Sequence, residues 1–467
     1  MNDKIAFLNF SDDILNKIEK TGLTDGIVSF CIKLPFRDLI DIYSNFFEKY
    51  NFSILWEENN NISFVALDKC KSIELKGKNR FQVAKNFNDK TLKNIINLET
   101  QYKFSSLAKI FYFFTFKENS NKYKFNKDFF ILEGVLPKFL IINDGKNILI
   151  RMNIEINGKT YIKENLQELW DIRGKIISSK SKNYNYGNLN ISIDDFYKSF
   201  DKCYPLLNKQ ISTAIKLIND GSIEKLVLGS RLIFKLKNKL NIVQILNKLR
   251  LSQTNACRYL WKSNKENMIF GASPEKLFSY KEKVLELEAI AGTEKIGINM
   301  DTFLRSEKNL REHNFVINYL IENLKFLDIG NYQQGKLKVK EFGNIAHLYT
   351  LICAHVDEIC PFLLLEKLHP SPAVCGLPKE KALKYIDSLE NFDRGNYASP
   401  FGWVDLEGNA DFRVALRGAR IINSGIEFIA ASGLVKGSIS EEEIDEIKLK
   451  LASLANQIFD NNLINDT

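Results

Sequence analysis

Lys225 opens a run, Lys225-Leu226-Val227-Leu228, set out like a strand. On a period of two, Lys225, Val227, Gly229 and Arg231 share one side. Burial disfavours charge, and general-base chemistry needs a neutral amine, so a lysine among apolar strand residues is a candidate base. Glu275 follows a strand-like run, 268–273, and the rigid Pro274. Loops at strand ends are where layered α/β enzymes carry reactive groups. A partly buried carboxyl there keeps its proton and can act as an acid. Glu443, Glu446 and Lys450 fall at i, i+3 and i+7, on one helix face. Carboxylates with no histidine near them suit a hard cation such as Mg²⁺, which prefers oxygen. Glu312 is a third carboxylate, on another helix beside His313. Arg413 and Arg417 fall on one side of a strand with Ala415 between them, and an arginine fork matches a carboxylate.

These residues need elements to position them. The pattern predicts helices over 193–219, ending at Asp220-Gly221, and over 305–328, where Leu310, Ile317, Leu320, Leu324 and Leu327 recur at helical spacing. A last helix starts near Ser440 with the stripe Ile444, Ile447, Leu451, Leu454 and Ile458, and Ser440 with Glu443 forms a capping-box pattern. Strands are expected over 224–235, 268–273, 411–421 and 426–432. Earlier in the chain the legible pieces are strand-like, at 52–56, 62–68, 109–116 and 138–144. Residues 178–190 are polar and turn-rich and read as a linker. This divides a strand-rich 1–190 from a site-bearing 191–467, both parts of one compact unit. Strands and helices together give an α/β class, layered α+β.

Composition narrows the chemistry. The chain has 467 residues, 45% of them hydrophobic, which is enough for large buried cores. The net charge of +8 comes without a basic run, so no nucleic-acid arm is expected and a small anionic substrate suits the excess. There are only four histidines, all between His313 and His369, so a multi-histidine metal centre spread along the chain is ruled out. Seven cysteines lie without a CxxC pair, and the most apolar run, 129–142, is short and carries Glu133 and Lys138. The N-terminal residues lack a signal-peptide core. A cytoplasmic protein with reduced thiols, not a membrane protein, is therefore expected. The chain also lacks the P-loop, HExxH and GxSxG patterns.

Nine runs occur in order: KLVLGSR (225–231), FGASPEKLF (270–278), AIAGT (289–293), SEKNLREH (306–313), HLYT (347–350), LHPSPAVCGLP (368–378), RGNYASPFGW (394–403), FRVALR (412–417) and ASGLVKGSISEEEIDEIKLK (431–450). Together they resemble the chorismate-utilising enzyme family over about residues 200–460. The resemblance implies two β-sheet subdomains covered by helices, with the active site in the cleft between them. Lys225 resembles the branch that adds water to chorismate, since anthranilate synthases have glutamine there. Ala291 stands where aminodeoxychorismate synthases have lysine.

The resemblance therefore implies isochorismate synthase, an isomerase. Lys225 would take a proton from water attacking ring carbon C2, and Glu275 would protonate the departing C4 hydroxyl. Mg²⁺ would be held by Glu312 and Glu446, with Glu443 through water. Arg417 and Tyr397 would hold the enolpyruvyl carboxylate. Lys450, Thr293, and the backbone at Gly292 and Gly433 would complete the pocket, with His347 near the ring. Chorismate would be the partner of a monomer or weak homodimer, without an organic cofactor. The product could feed menaquinone, siderophore or salicylate biosynthesis. The alternatives are salicylate synthase, which also eliminates pyruvate, and an inactive relative serving as a binding subunit. Asn309 and Ser432 depart from the family pattern. Asn309 replaces an acid near the metal, and Ser432 sits where a backbone anion pocket would be tight.

Overall fold

Two long strands, Ser63–Leu75 and Leu132–Asn143, pair antiparallel along their length and run through two sheets. Their register slips between Lys69 and Lys71, beside Asp68 at φ 58°. A bulge of this kind bends a strand, here from one sheet into the other. The computed structural model describes residues 2–22, 24–59, 61–98, 107–118, 130–178, 191–297 and 300–459.

On one side of the shared pair, the first sheet continues through Ile148–Glu155 to Ile27–Leu34 and Ile95–Asn97. On the other side it runs through Ser53–Glu57, Cys257–Lys262, Asn267–Ser273, Gly418–Ile422, Gly425–Val435 and Lys225–Lys235 to the short Gly376–Leu377. The second sheet runs from the shared pair through Lys109–Phe114, Pro400–Asp405, Ala410–Val414, Lys276–Lys281, Val284–Lys295 and Ile345–His355. Trp56, Phe64, Phe111, Phe113, Trp261, Phe401 and Trp403 belong to one buried cluster. Side chains of this size remove about 150–250 Å² each from water, so the cluster is a strong adhesive. Strands from before residue 190 thus sit beside strands from after it: Ser53–Glu57 on Cys257–Lys262, and Lys109–Phe114 on Pro400–Asp405.

Helices Ile193–Asn219 and Ser440–Phe459 pack on each other and on the strand pair Lys225–Lys235 and Gly425–Val435. Helix Glu307–Phe326 packs on Val284–Lys295. Ser192 caps the first of these helices in a capping box with Asp195, and Ser306 Oγ accepts from Asn309 N at the start of the third. All three expected helices are present, that over 193–219 with the expected ends.

Three expectations are corrected. The run 411–421 is not one strand but two, Ala410–Val414 in the second sheet and Gly418–Ile422 in the first. The break is at Arg417, whose φ of 50° cannot continue a strand. Arg413 is thereby separated from Arg417, and its guanidinium pairs with Asp411 of its own strand at 3.0 Å and with Glu58, just past the Ser53–Glu57 strand of the first sheet, at 2.6 Å. The Ser440–Glu443 capping box does not form either. Ser440 Oγ donates to Asn208 Oδ1 at 2.7 Å, and Glu443 is engaged elsewhere. Finally, the region before residue 190 also carries helices Asn2–Lys20, Leu39–Phe46, Arg80–Lys93 and Lys159–Ser178. Ser178 ends the last of them, and the rest of the expected linker, 179–190, lies outside the described residues. Among the described residues no helix is long and apolar enough to cross a membrane.

Candidate active site

Glu275, Gly292, Thr293, Glu312, His347, Tyr397, Arg417, Gly433 and Lys450 line one cleft of about 810 Å³, including the open space at its mouth. The walls come from both sheets and from the Ser440–Phe459 helix. Lys225, Glu443 and Glu446 are not among the lining residues, but side chains that line the cleft reach Lys225 and Glu446.

Glu275 sits at the end of the Asn267–Ser273 strand and is only 6% exposed. Its carbonyl accepts from Val414 N at 3.1 Å, and its own N–H donates to Ser273 Oγ at 3.3 Å, so the backbone is fixed. Burial pushes its carboxyl up to about 8, with Glu288 adding to the effect and Lys225 and Lys450 opposing it. A carboxylic acid is therefore present at neutral pH, and it faces the cleft.

Lys225 is fully buried. Its ammonium donates to Glu312 Oε1 at 2.9 Å, while Glu312 Oε2 accepts from Gly292 N at 3.1 Å. Two glycines make this contact possible. Gly292 holds φ 75°, a left-handed value that suits glycine, and a Cβ there would press to 3.1 Å on Asn309 Cβ. A Cβ on Gly433 would collide with Glu312 Oε1 and approach Lys225 Cε to 3.2 Å.

Arg417, His347 and Thr293 form a relay along the floor. Arg417 Nη2 donates to His347 Nε2 at 2.7 Å. His347 Nδ1 must then carry the proton, and it donates to Gly292 O at 3.1 Å, with Thr293 Oγ1 at 3.3 Å. Burial, with Arg417 and Lys450, holds the imidazole well below its ordinary pKa, so it is neutral. The Thr293 hydroxyl also bonds Glu446. Both ring nitrogens of His347 are thus used inside the protein. Nη1 of Arg417 is buried and makes no hydrogen bond among the described residues. Burial pulls this guanidinium down to about 10. A buried cationic N–H without an acceptor is costly, and an anionic ligand in the cleft would satisfy it. Tyr397 is beside it, with its hydroxyl bonded to the Ala431 backbone.

The three carboxylates expected to bind metal each face a lysine. Glu312 has Lys225 at 2.9 Å, Glu443 has Lys308 at 2.6 Å, and Glu446 has Lys450 at 2.6 Å. Glu443 is fully buried, and Ser432 Oγ donates to its second oxygen. Burial and Glu446 push its carboxyl up, against Lys308 and Ser432. Burial also works against charge on Glu446, but Lys450, Lys308 and Thr293 outweigh it and hold that carboxyl below the usual range. Among the described residues, no three His, Cys, Asp or Glu side chains converge closely enough to hold an ion as they stand. The donor set is nonetheless all oxygen, which suits Mg²⁺, an ion that keeps several waters and needs only one or two carboxylates.

Sequence reasoning overlooked Lys308, and it singled out Ser432 as a departure near an anion pocket without its bond to Glu443. The available signal was the i, i+4 spacing of Lys308 and Glu312 on one helix. Of the other histidines, His313 Nε2 meets Thr350 Oγ1 at 2.8 Å and His369 Nε2 meets Phe116 O at 3.0 Å, both buried among structural partners.

The chorismate binding enzyme family model matches residues 13–459. Isochorismate synthase MenF of Bacillus subtilis is 34% identical over 255 residues, 52% of this chain and 53% of that relative. The salicylate biosynthesis isochorismate synthase of Pseudomonas aeruginosa is 33% identical over 255 residues, again 52% of this chain and 53% of the relative. The chain therefore spans about half the length of the curated relatives it matches. The solved structure of MenF, the menaquinone-specific isochorismate synthase from Escherichia coli, has a TM-score of 0.74 at 20% identity, covering 93% of this chain and 95% of that one. Anthranilate synthase component I from Streptococcus pneumoniae scores 0.66 at 18% identity, over 85% and 93%. These two likenesses establish the shared fold. With a family model spanning nearly all of it, and a cleft built from the motifs that suggested the family, the chain belongs to the chorismate-binding enzymes.

Proposed function

We propose that this chain is an isochorismate synthase that isomerises chorismate by adding water at C2 and losing the C4 hydroxyl. The observation that carries the reading is Glu275: a buried carboxyl, protonated at neutral pH, in the wall of a cleft whose Glu312 also holds Lys225. That pair divides acid and base work between two groups kept in different environments. Lys225 acts in its neutral amine form, which takes a proton from the attacking water, and Glu275 gives one to the leaving hydroxyl as the ring double bonds shift. One water enters and one leaves, so the product is an isomer.

Arg417, with its spare buried N–H, and Tyr397 hold the enolpyruvyl carboxylate. His347 aims Arg417, and Thr293 joins that relay to Glu446. Gly292, Gly433 and Lys450 shape the rest of the pocket. Glu312 and Glu446 would hold Mg²⁺, with Glu443 through water, and when bound the ion supplies positive charge to the ring carboxylate. All of these residues come from 191–467, and 1–190 supplies strands that brace both sheets. We place the activity in the cytoplasm, in a monomer or weak homodimer.

The test is incubation of the purified chain with chorismate and Mg²⁺, followed by chromatography. Isochorismate as the sole product is expected. Salicylate with pyruvate would move the chain to salicylate synthase. No conversion at any pH would overturn both readings.

A further inference from the structure

Lys308 and Glu312 are one turn apart on helix Glu307–Phe326, on the same face. The Lys308 ammonium is 2.6 Å from Glu443 Oε1, with its side chain 25% exposed and that of Glu443 fully buried. Glu446 and Glu312 are the other carboxylates whose charge reaches it. It thus stands among all three acids, yet it does not line the cleft. Lys225 and Lys450 are different: each pairs with one acid and already has work in the proposed reaction.

We propose that Lys308 is the resident counter-cation of this carboxylate cluster, and that its charge sets how tightly the cluster takes a divalent cation. The inference rests on Glu312, Glu443 and Glu446 being the metal site. Three carboxylates and three ammonium groups cancel, so an arriving ion meets a cluster of no net charge. Removing the Lys308 charge leaves one negative charge in excess, in surroundings where Coulomb attraction is weakly screened. Ser432 Oγ holds the second oxygen of Glu443, so that carboxylate stays pinned beside Lys308 and does not turn freely to an ion.

Mg²⁺ is titrated calorimetrically, and Mn²⁺ by its paramagnetic resonance signal, into the full chain without chorismate. Wild type, Lys308→Met, Lys308→Arg and Glu446→Gln are compared. Lys308→Met is expected to bind about tenfold more tightly than wild type. Lys308→Arg keeps the charge and should match wild type. A gain in affinity does not arise from a damaged fold. If Lys308→Met fails to fold, Lys308→Gln, which retains a donor for Glu443, carries the same expectation. Equal or weaker binding after charge removal would overturn the proposal while leaving the metal site intact. Undiminished binding by Glu446→Gln, or no binding by any form, would remove the metal site and the proposal with it.

Discussion

The Lys225 ammonium lies 2.9 Å from one oxygen of Glu312, and the other oxygen of that carboxylate accepts from Gly292 N at 3.1 Å. Lys225 begins a strand of the first sheet, and Gly292 belongs to a strand of the second. A single helix-borne carboxylate therefore ties the two sheets together at the cleft. The proposed base is held by the same group that links the walls.

Lys225→Met should lower turnover by about 10²–10⁴-fold, the usual contribution of a positioned base. It should also cost stability, because it leaves Glu312 without its cation. Breaking a buried pair from one side costs about 3–5 kcal/mol. Glu312 is 12% exposed and keeps some water, so the lower end is expected. Chorismate turnover and urea unfolding check both parts, and normal turnover would refute the assigned base.

Glu275 links activity to pH. Its carboxyl, pushed up to about 8 from an ordinary 4.5, keeps its proton in the fold where the unfolded chain has lost it. The native state binds the extra proton between those values, so stability falls as pH rises from 4.5 towards 8. Glu275→Gln removes this dependence. It should melt above wild type at about pH 8, and the gain should vanish as the pH falls towards 4.5. The same variant should lose activity, and wild-type turnover should decline as the acid deprotonates through about 8. Melting curves and a pH–rate profile test the two halves separately.

In the proposed reaction His347 acts through Arg417, to which it is hydrogen-bonded. Hydrogen bonds to a charged group contribute about 1.5–3 kcal/mol, so His347→Ala should raise KM for chorismate about 10–100-fold. Because the imidazole stays neutral, the wild-type profile should show no inflection from it near the ordinary histidine range. Steady-state kinetics separate this outcome from a general loss of fold, which would lower kcat and KM-independent yield alike.

Gly433→Ala tests the contact space. Gly433 has no left-handed φ, so backbone strain is not at issue. The added methyl would force Glu312 away from Lys225, a crowding that costs about 1–3 kcal/mol. The variant should stay folded by circular dichroism and lose most of its turnover. Wild-type activity in a folded Gly433→Ala would show that the Lys225–Glu312 contact is dispensable.

Much of the site was legible because its members sit on strongly periodic elements. Lys225 begins a β-rich run whose first six residues are buried, and Glu446 and Lys450 share a helix face whose apolar stripe fixes its orientation. Lys308 escaped notice because, on sequence alone, it resembles any other of 65 basic residues; only folding brings it against Glu443. Arg413 misled because a period of two cannot register one left-handed residue, and Arg417 sends the chain from one sheet to the other. The early helices were a different case. Ile162, Leu166, Leu169, Ile172 and Ile176 do recur at helical spacing and are buried, but denser strand-like runs nearby drew the reading.

The Lys225–Lys235 strand pairs along all eleven residues with Gly425–Val435, the last strand in the described chain. During synthesis Lys225 is therefore made long before the segment that covers the edge of its strand. A nascent chain that has not reached residue 425 carries a bare, apolar edge, open to any other extended segment. Such late closure of a distant pair slows folding and lengthens exposure to aggregation. For this protein the cleft assembles only once residues 425–435 have been made, and truncation before them is a hazard to solubility before it is a loss of catalysis.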